Sequence, residues 1–108
     1  MKIWLDDVRP APEGYLWCKS VNEAIGIIES VEQTCFDWYD VCDEDIISII
    51  DVDHDAGDYA KDGGDYICLL DWLEETGRNY PIRIHSMNAV GRENMRRIIE
   101  RNGWKEIK

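Results

Sequence analysis

The segment IISIIDVDHDAGDYAKD, residues 46–62, joins an apolar run to a series of acids. Its first five residues are rich in β-branched side chains and predict a buried β-strand. Acids then recur at Asp51, Asp53 and Asp55, a spacing that calcium-binding EF-hand loops also use. Such a loop needs a helix before it, a glycine at its sixth position and a glutamate at its twelfth, whereas here a strand precedes and alanine and aspartate occupy those positions. The segment therefore predicts a strand that runs into an acidic loop.

The whole chain has 108 residues and a net charge of -11, which predicts one domain and argues against broad binding to duplex DNA or to anionic membranes. No apolar run is long enough to cross a bilayer, and the first residues lack the apolar centre of a signal peptide, so we expect a cytoplasmic protein. The four cysteines are scattered without the spacing of a zinc site, and they predict buried apolar residues without disulfides.

Charge is unevenly distributed along the sequence. Residues 1–77 carry 20 acids and 4 bases, giving -16, and residues 78–108 carry 3 acids and 8 bases, giving +5. This distribution has two interpretations. In one, a basic rim borders an acidic centre, which suits a phosphorylated ligand with a cation; in the other, the basic residues are simply solvated charges on exposed helix faces. The bases concerned are Arg92, Arg96, Arg97 and Arg101.

Strand and helix patterns alternate along the chain. The predicted strands are KIWL, YLWC, IISII, YPIRIHS and WKEI, and a capping box at Ser20 and Glu23 opens a first helix that ends near Glu32. Two further helices cover DYICLLDWLEETG and NAVGRENMRRIIERNG, the latter with Val90, Met95, Ile98 and Ile99 on its apolar face. Residues 33–45 are predicted to be irregular. The alternation predicts an α/β fold with a five-stranded parallel sheet covered on both faces.

Polar residues follow three of these strands. Ligands of open α/β sheets bind beyond the carboxyl ends of the strands, where the strand order reverses, so we expect these residues to meet there. They are Asp6 and Asp7 after the first strand, Asp53, His54 and Asp55 after the third, and His85, Ser86 and Asn88 after the fourth.

Converging carboxylates repel one another unless a cation neutralises them, and oxygen ligands favour Mg²⁺ or Mn²⁺. The candidate metal ligands are Asp6, Asp7, Asp53 and Asp55, although an Asp-Asp pair alone also suits the capping of a turn.

The other polar residues have two interpretations each. His54 and His85 are candidates for general acid and base at a phosphate, or they are structural. Ser86 and Arg9 can bind a phosphoryl group, and Arg9 can instead pair with the nearby acids. Asn88 either contacts a ligand or caps the following helix.

Three ordered motifs, WLDDVRPAPEG, DHDAG with the downstream DGGDY, and HSMNAVGRENM, resemble those of response-regulator receiver domains. They resemble more closely the divergent cyclic-phosphate processing receiver domains. The resemblance implies a doubly wound, flavodoxin-like sheet and an acidic Mg²⁺ pocket of Asp6, Asp7 and Asp53, with Asp53 at the phosphoacceptor position and also in a catalytic role. It further implies a group of additional polar residues, namely Arg9, His54, Asp55, His85, Ser86 and Asn88.

The chain also departs from an ordinary receiver. A proline-rich loop replaces the helix between the first two strands, the Lys-Pro pair expected after the fifth strand is absent, and no final helix is predicted. The resemblance implies an Mg²⁺-dependent phosphoesterase that processes cyclic phosphates on nucleotides or RNA ends. The alternatives are a receiver phosphorylated on Asp53 and a binding module that senses a cyclic nucleotide without turnover.

Overall fold

A computed structural model describes residues 1–37 and 47–108. The five strands are β1 (Lys2–Leu5), β2 (Tyr15–Cys18), β3 (Ile49–Val52), β4 (Ile82–Ile84) and β5 (Glu106–Ile107). The helices are α1 (Val21–Asp37), α2 (Ile67–Glu75) and α3 (Ala89–Asn102), and a short 3₁₀ helix covers Gly57–Lys61.

All five strands are parallel and lie in the order β2-β1-β3-β4-β5. This is the doubly wound order of receiver and flavodoxin-like folds, as the sequence predicted. The order reverses between β1 and β3, and every strand has its carboxyl end at the same edge of the sheet. That edge is where the predicted polar residues were expected to meet.

The three helices all lie on one face of the sheet. The helices contact one another in the sequence α1, α2, α3, and the core between them and the sheet takes alternate strand residues, among them Ile3, Leu5, Ile50, Val52 and Ile82. The prediction of helices on both faces is therefore wrong for the described residues. Its cause is the loop of residues 6–14, because a right-handed helical crossover from β1 to β2 would have covered the other face.

Side chains of three strands project to the face that carries none of the described helices. Trp4, Asp51 and Arg83 stand side by side in the strand register, so they project to this face. Trp4 is 8% exposed and Asp51 is fully buried, so this part of the sheet is shielded from solvent although none of the described helices lies on it.

Several boundaries differ from the predicted ones. Strand β3 begins later than IISII and continues through Asp51 and Val52, and β4 is shorter than YPIRIHS. Helix α1 extends to Asp37, so residues 33–37 of the predicted irregular connection are helical. The remainder of that connection, which includes Cys42, lies outside the described residues. The first residue of the predicted third strand also lies outside them.

The helix ends follow sequence signals. The hydroxyl of Ser20 accepts a hydrogen bond from the Glu23 N–H at 3.1 Å, as the capping box predicted. Helix α3 ends at Gly103, which adopts the left-handed conformation with φ of 68°. Val90, predicted in the core, is instead 69% exposed. Across the described part of the chain, no helix is long and apolar enough to cross a membrane.

Candidate functional site

The carboxyl ends of three neighbouring strands bring together one acid from β1, one from β3 and one histidine from β4. Asp6, Asp53 and His85 are each the first residue after their strand. One ligand atom of each lies within 4.8 Å of those of the other two. Parallel register places Asp6 beside Asp53 and Asp53 beside His85, all projecting to the face that carries none of the described helices. The switch point of the sheet therefore carries a cluster with the chemistry of a cation or phosphate site.

Asp6 is the fully buried member of this cluster. Its Oδ1 atom accepts hydrogen bonds from the backbone N–H groups of Val8 at 3.0 Å and Arg9 at 2.8 Å, and its Oδ2 atom lies 3.0 Å from Nε2 of His85. Burial acts to raise the pKa of Asp6, but these backbone donors and His85 outweigh it and hold the pKa below its ordinary value. The tight turn after β1 thus keeps Asp6 ionised at the floor of the site.

His85 is held between two buried carboxylates. Its Nδ1 atom lies 2.6 Å from Oδ1 of Asp51, and its Nε2 atom lies 3.0 Å from Oδ2 of Asp6. Ionised carboxylates only accept hydrogen bonds, so an imidazolium that donates from both nitrogens satisfies both contacts. The ring of Trp4 stacks on it with centroids 3.9 Å apart and planes 3° from parallel, a favourable arrangement for a cation.

The network extends away from the site through Asp51. Nη1 of Arg83 donates to Oδ2 of Asp51 at 2.9 Å, and this pair raises the pKa of Arg83. Arg83, Asp51, His85 and Asp6 therefore form a continuous series of polar contacts along the face that carries none of the described helices. Within it, the buried carboxylate of Asp51 has both Arg83 and His85 as partners, which compensates the cost of its burial.

Asp7 lies on the solvent side of Asp6 and is pressed against the loop after β3. Gly57 has φ of 55°, and a Cβ atom on it would lie 2.4 Å from Oδ2 of Asp7. Burial and the neighbouring charges of Asp6 and Asp53 raise the pKa of Asp7. The outer part of the site thus has an excess of negative charge that no described cation offsets.

His54 and Asp55 form a second unit at the start of helix α3. Nδ1 of His54 lies 2.9 Å from Oδ1 of Asp55, and the amide nitrogen of Asn88 lies 3.5 Å from the same ring atom. The ring packs on Gly91, where a Cβ atom would come within 2.4 Å of it. Asp55 thus contacts His54 and is not in the cluster of Asp6 and Asp53.

The remaining candidates have backbone roles in the structure. Oδ1 of Asn88 accepts a hydrogen bond from Gly91 N–H at 3.0 Å, which makes Asn88 the N-cap of α3. Ser86 is buried, and its hydroxyl accepts from Asn88 N–H at 3.0 Å. Arg9 is exposed, and its guanidinium has no ion pair among the described residues, whereas its backbone binds Asp6 and the Trp4 indole.

Asp51 and Trp4 take part in the network although the sequence interpretation did not place them there. It treated Asp51 as the first acid of a loop, whereas Asp51 is a buried strand residue. The alternation of side chains along a strand could have identified them. Asp51 and Asp53 are two residues apart, as are Trp4 and Asp6, so each pair lies on the same face if the strand continues that far.

The donor set fits a hard divalent cation. Carboxylate oxygens are the ligands that Mg²⁺ prefers. Burial and, after it, repulsion by Asp6 and Asp53 raise the pKa of Asp7, and a bound cation would relieve that repulsion. His85 already compensates part of the charge of Asp6. Asp7 and Asp53 are therefore the less compensated carboxylates of the site.

Comparison with known proteins gives one family. The chain matches the family model described as Cyclic-phosphate processing Receiver domain over residues 1–101, which includes every residue of the site described above. No curated protein and no solved structure gives a significant match.

Proposed function

This chain belongs to the cyclic-phosphate processing receiver domains, and from that membership and the site geometry we propose that it is an Mg²⁺-dependent phosphoesterase acting on cyclic phosphates of nucleotides or RNA ends. The observation that carries the proposal is the convergence of Asp6, Asp53 and His85 within 4.8 Å at the switch point. A family linked to cyclic-phosphate processing and a site suited to a hard cation point to the same chemistry.

Asp7 and Asp53, with Asp6 behind them, are the residues that would hold the cation. When bound, Mg²⁺ supplies Lewis-acid polarisation of a phosphoryl oxygen and neutralises developing charge. The carboxylate of Asp6 is itself held in place by two backbone N–H groups and by His85. A fixed, prearranged charge is the form of stabilisation that contributes most to catalysis of this kind.

His54 is better placed than His85 to move a proton. Both ring nitrogens of His85 are engaged with carboxylates, whereas Nδ1 of His54 contacts Asp55 and its Nε2 atom has no hydrogen-bond partner among the described residues. With Nδ1–H donating to Asp55, Nε2 can accept a proton. Asp55 then orients the base, as the third member of a catalytic triad does.

Hydrolysis of the ring requires one bond to phosphorus to form and one to break. A water oxygen attacks phosphorus while His54 takes a proton from that water, and the bond from phosphorus to one ribose oxygen breaks. The same histidine returns the proton to the released oxygen. The free guanidinium of Arg9, two residues beyond Asp7, is the group available to bind the phosphoryl oxygens.

Exposed apolar residues support a nucleoside as the rest of the substrate. Four large apolar side chains of the described residues are strongly exposed, and three of these, Val8, Met87 and Val90, flank the site on the loops after β1 and β4 and on the first turn of α3. A nucleobase is a flat, largely apolar group that such side chains can contact, whereas inorganic phosphate would gain nothing from them.

The test is incubation with 2′,3′-cyclic mononucleotides and with RNA ending in a cyclic phosphate, in Mg²⁺ or in EDTA, with products read by mass. We expect Mg²⁺-dependent gain of one water, and Asp53→Asn to lower kcat by at least about 100-fold because a charge at the reacting phosphate is removed. Asp58→Asn, an exposed acid on the neighbouring 3₁₀ helix, is the matched control and should retain activity. Equal turnover by Asp53→Asn and the wild type would contradict the proposal.

A second function is favoured by the position of Asp53 after β3 in a receiver strand order, which is the position of a phosphoacceptor. Incubation with acetyl phosphate and Mg²⁺, followed by intact mass, would show a phosphoryl adduct that Asp53→Asn lacks. If neither an adduct nor a hydrolysis product forms but a cyclic nucleotide raises the Tm, the chain is a binding module.

A further inference from the structure

A basic cleft lies at the carboxyl ends of β4 and β5, beside the acidic site. Its volume is about 400 Å³, within the range of small-ligand pockets. Four of its lining residues are cations and one is an acid; the cations are Arg83, Arg92, Arg96 and Lys108, and the acid is Glu106. We use the term basic cleft for this set.

The pairing of these residues leaves positive charge in excess. Arg96 forms a bidentate pair with Glu106, with Nε and Nη2 at 2.9 and 2.8 Å from its oxygens. This pair lowers the pKa of Glu106, and the charges of Lys108 and Arg92 act in the same direction. Arg92 is exposed and has no ion-pair partner among the described residues, so its guanidinium is available to an anion.

Other arginines of helix α3 are already neutralised outside the cleft. Arg97 pairs with Glu93 at 3.2 Å on the exposed helix surface, and Arg101 pairs with Glu74 at 2.7 Å. These two are solvated helix-surface charges, one of the two alternatives that the charge distribution left open. Among the four arginines of α3, Arg92 is therefore the one that forms no ion pair with a described residue.

The cleft and the acidic site are joined by position and by contact. β5 is two strands from β3, which at strand spacing is about 10 Å, a distance that two nucleotides of a single strand can span but one cannot. Arg83 contributes to the cleft while its Nη1 donates to Asp51, the partner of His85. A ligand with one phosphate at the acidic site can thus place a second phosphate in the cleft.

We infer that the basic cleft binds a second phosphate group of the substrate, namely a phosphodiester within two nucleotides of the terminal phosphate of a single-stranded RNA. This inference rests on the proposed function for the identity of the substrate. A guanidinium without a partner suits a phosphate oxygen because it offers several donors in a fixed plane. The cleft would make an RNA terminus a better ligand than a cyclic mononucleotide.

The test measures binding without turnover. The probe is a fluorescently labelled pentaribonucleotide with a 3′-phosphate, which has no ring to open, and its anisotropy is measured at a constant Mg²⁺ concentration over about 50 to 200 mM monovalent salt. We expect Arg92→Gln to weaken binding about tenfold and to reduce the slope of log K against log salt by about 0.7, the value for one phosphate contact on a single strand. Arg92→Lys should recover most of the affinity, since it keeps the charge.

Arg97→Gln is the matched control, because it removes a paired arginine on the same helix that does not line the cleft. Equal affinities of wild type and Arg92→Gln, or equal losses in the Arg92 and Arg97 variants, would overturn the inference. Displacement of the probe by adenosine 5′-monophosphate, if it depends on Arg92, would support the phosphate site with a mononucleotide as the source. Since the assay involves no hydrolysis, arginine-dependent binding without any phosphoesterase activity would support the cleft while refuting the proposed reaction.

Discussion

Replacing Gly91 by alanine should damage the candidate site while favouring the helix that carries it. Gly91 lies in the first turn of α3, and its φ is not in the left-handed region, so the backbone accepts alanine there. A Cβ atom would nevertheless lie 2.4 Å from Cγ of His54 and 2.5 Å from Cδ2. Ordinary contact begins near 3.4 Å, so the ring must move by about 1 Å or the helix must shift by as much.

The magnitudes separate stability from function. Alanine in place of glycine favours a helix by about 1 kcal/mol, and forcing an extra methyl group into a packed contact costs about 1–3 kcal/mol. The net loss of stability should be about 1 kcal/mol, equivalent to a fall in Tm of about 4 °C for a domain of this size. Displacement of His54 by about 1 Å would break its 2.9 Å contact with Asp55 and lower kcat/KM by about 100-fold.

Gly26→Ala supplies the control for this substitution. Gly26 also lies inside a helix, but a Cβ atom there would meet no atom within 4 Å. We expect a gain of up to about 1 kcal/mol in thermal or urea unfolding, with unchanged hydrolysis of the cyclic nucleotide. The comparison therefore isolates the contact with His54 from the general effect of removing a helical glycine.

A double-mutant cycle identifies the residue responsible. Gly91→Ala should lose most of its stability cost when His54 is replaced by alanine, because the atoms that it meets are then gone. If Gly91→Ala stabilises the protein as Gly26→Ala does and leaves turnover intact, the packing of His54 on α3 is not what positions it, and the role proposed for His54 is wrong.

Two further substitutions test the charges of the site. Asp7→Asn should raise the Tm in EDTA at neutral pH, because the raised pKa of Asp7 means that its ionisation opposes folding. The gain should shrink as the pH falls through the raised pKa towards the ordinary value, because the folded wild type then takes up the proton. A gain that stays constant with pH would contradict this direction of shift. Asp51→Ala should lower the free energy of unfolding, measured in urea, by about 3–5 kcal/mol, because Arg83 and His85 lose the buried carboxylate that they share. Glu93→Ala, which removes an exposed ion pair, should lower it by no more than about 0.5 kcal/mol.

The sequence was sufficient for the order of elements and for the edge of the sheet where the site lies. Alternating strand and helix patterns, with polar residues directly after β1, β3 and β4, depend only on local periodicity and on the rule for parallel sheets. Asp6, Asp53 and His85 meet at that edge as expected. The predicted metal ligand Asp55 instead contacts His54, because β3 ends at Val52 and the alternation of the three acids does not continue into the loop.

Asp51 shows why the rest was not accessible from local pattern. An acid next to a buried strand usually marks its end, since burial of a lone carboxylate is costly. Here the strand continues because Arg83 and His85, more than thirty residues later, neutralise that carboxylate. Only the parallel pairing of β3 with β4 brings these partners together, and that pairing is a property of the folded sheet. The prediction that Val90 lies in the core was wrong for a related reason, because helical periodicity alone does not show which end of α3 extends past the sheet.

The loop between β1 and β2 connects the architecture to the chemistry of the site. In place of a covering helix, the face beneath this loop has Trp4 stacked on His85, and Asp51 paired with both His85 and Arg83. The same loop supplies the backbone donors that fix Asp6, and its Arg9 carbonyl accepts from the Trp4 indole at 2.9 Å. Among the described residues, the connection between β1 and β2 is thus a loop above a polar layer, and this layer reaches the acidic site through His85 and the basic cleft through Arg83.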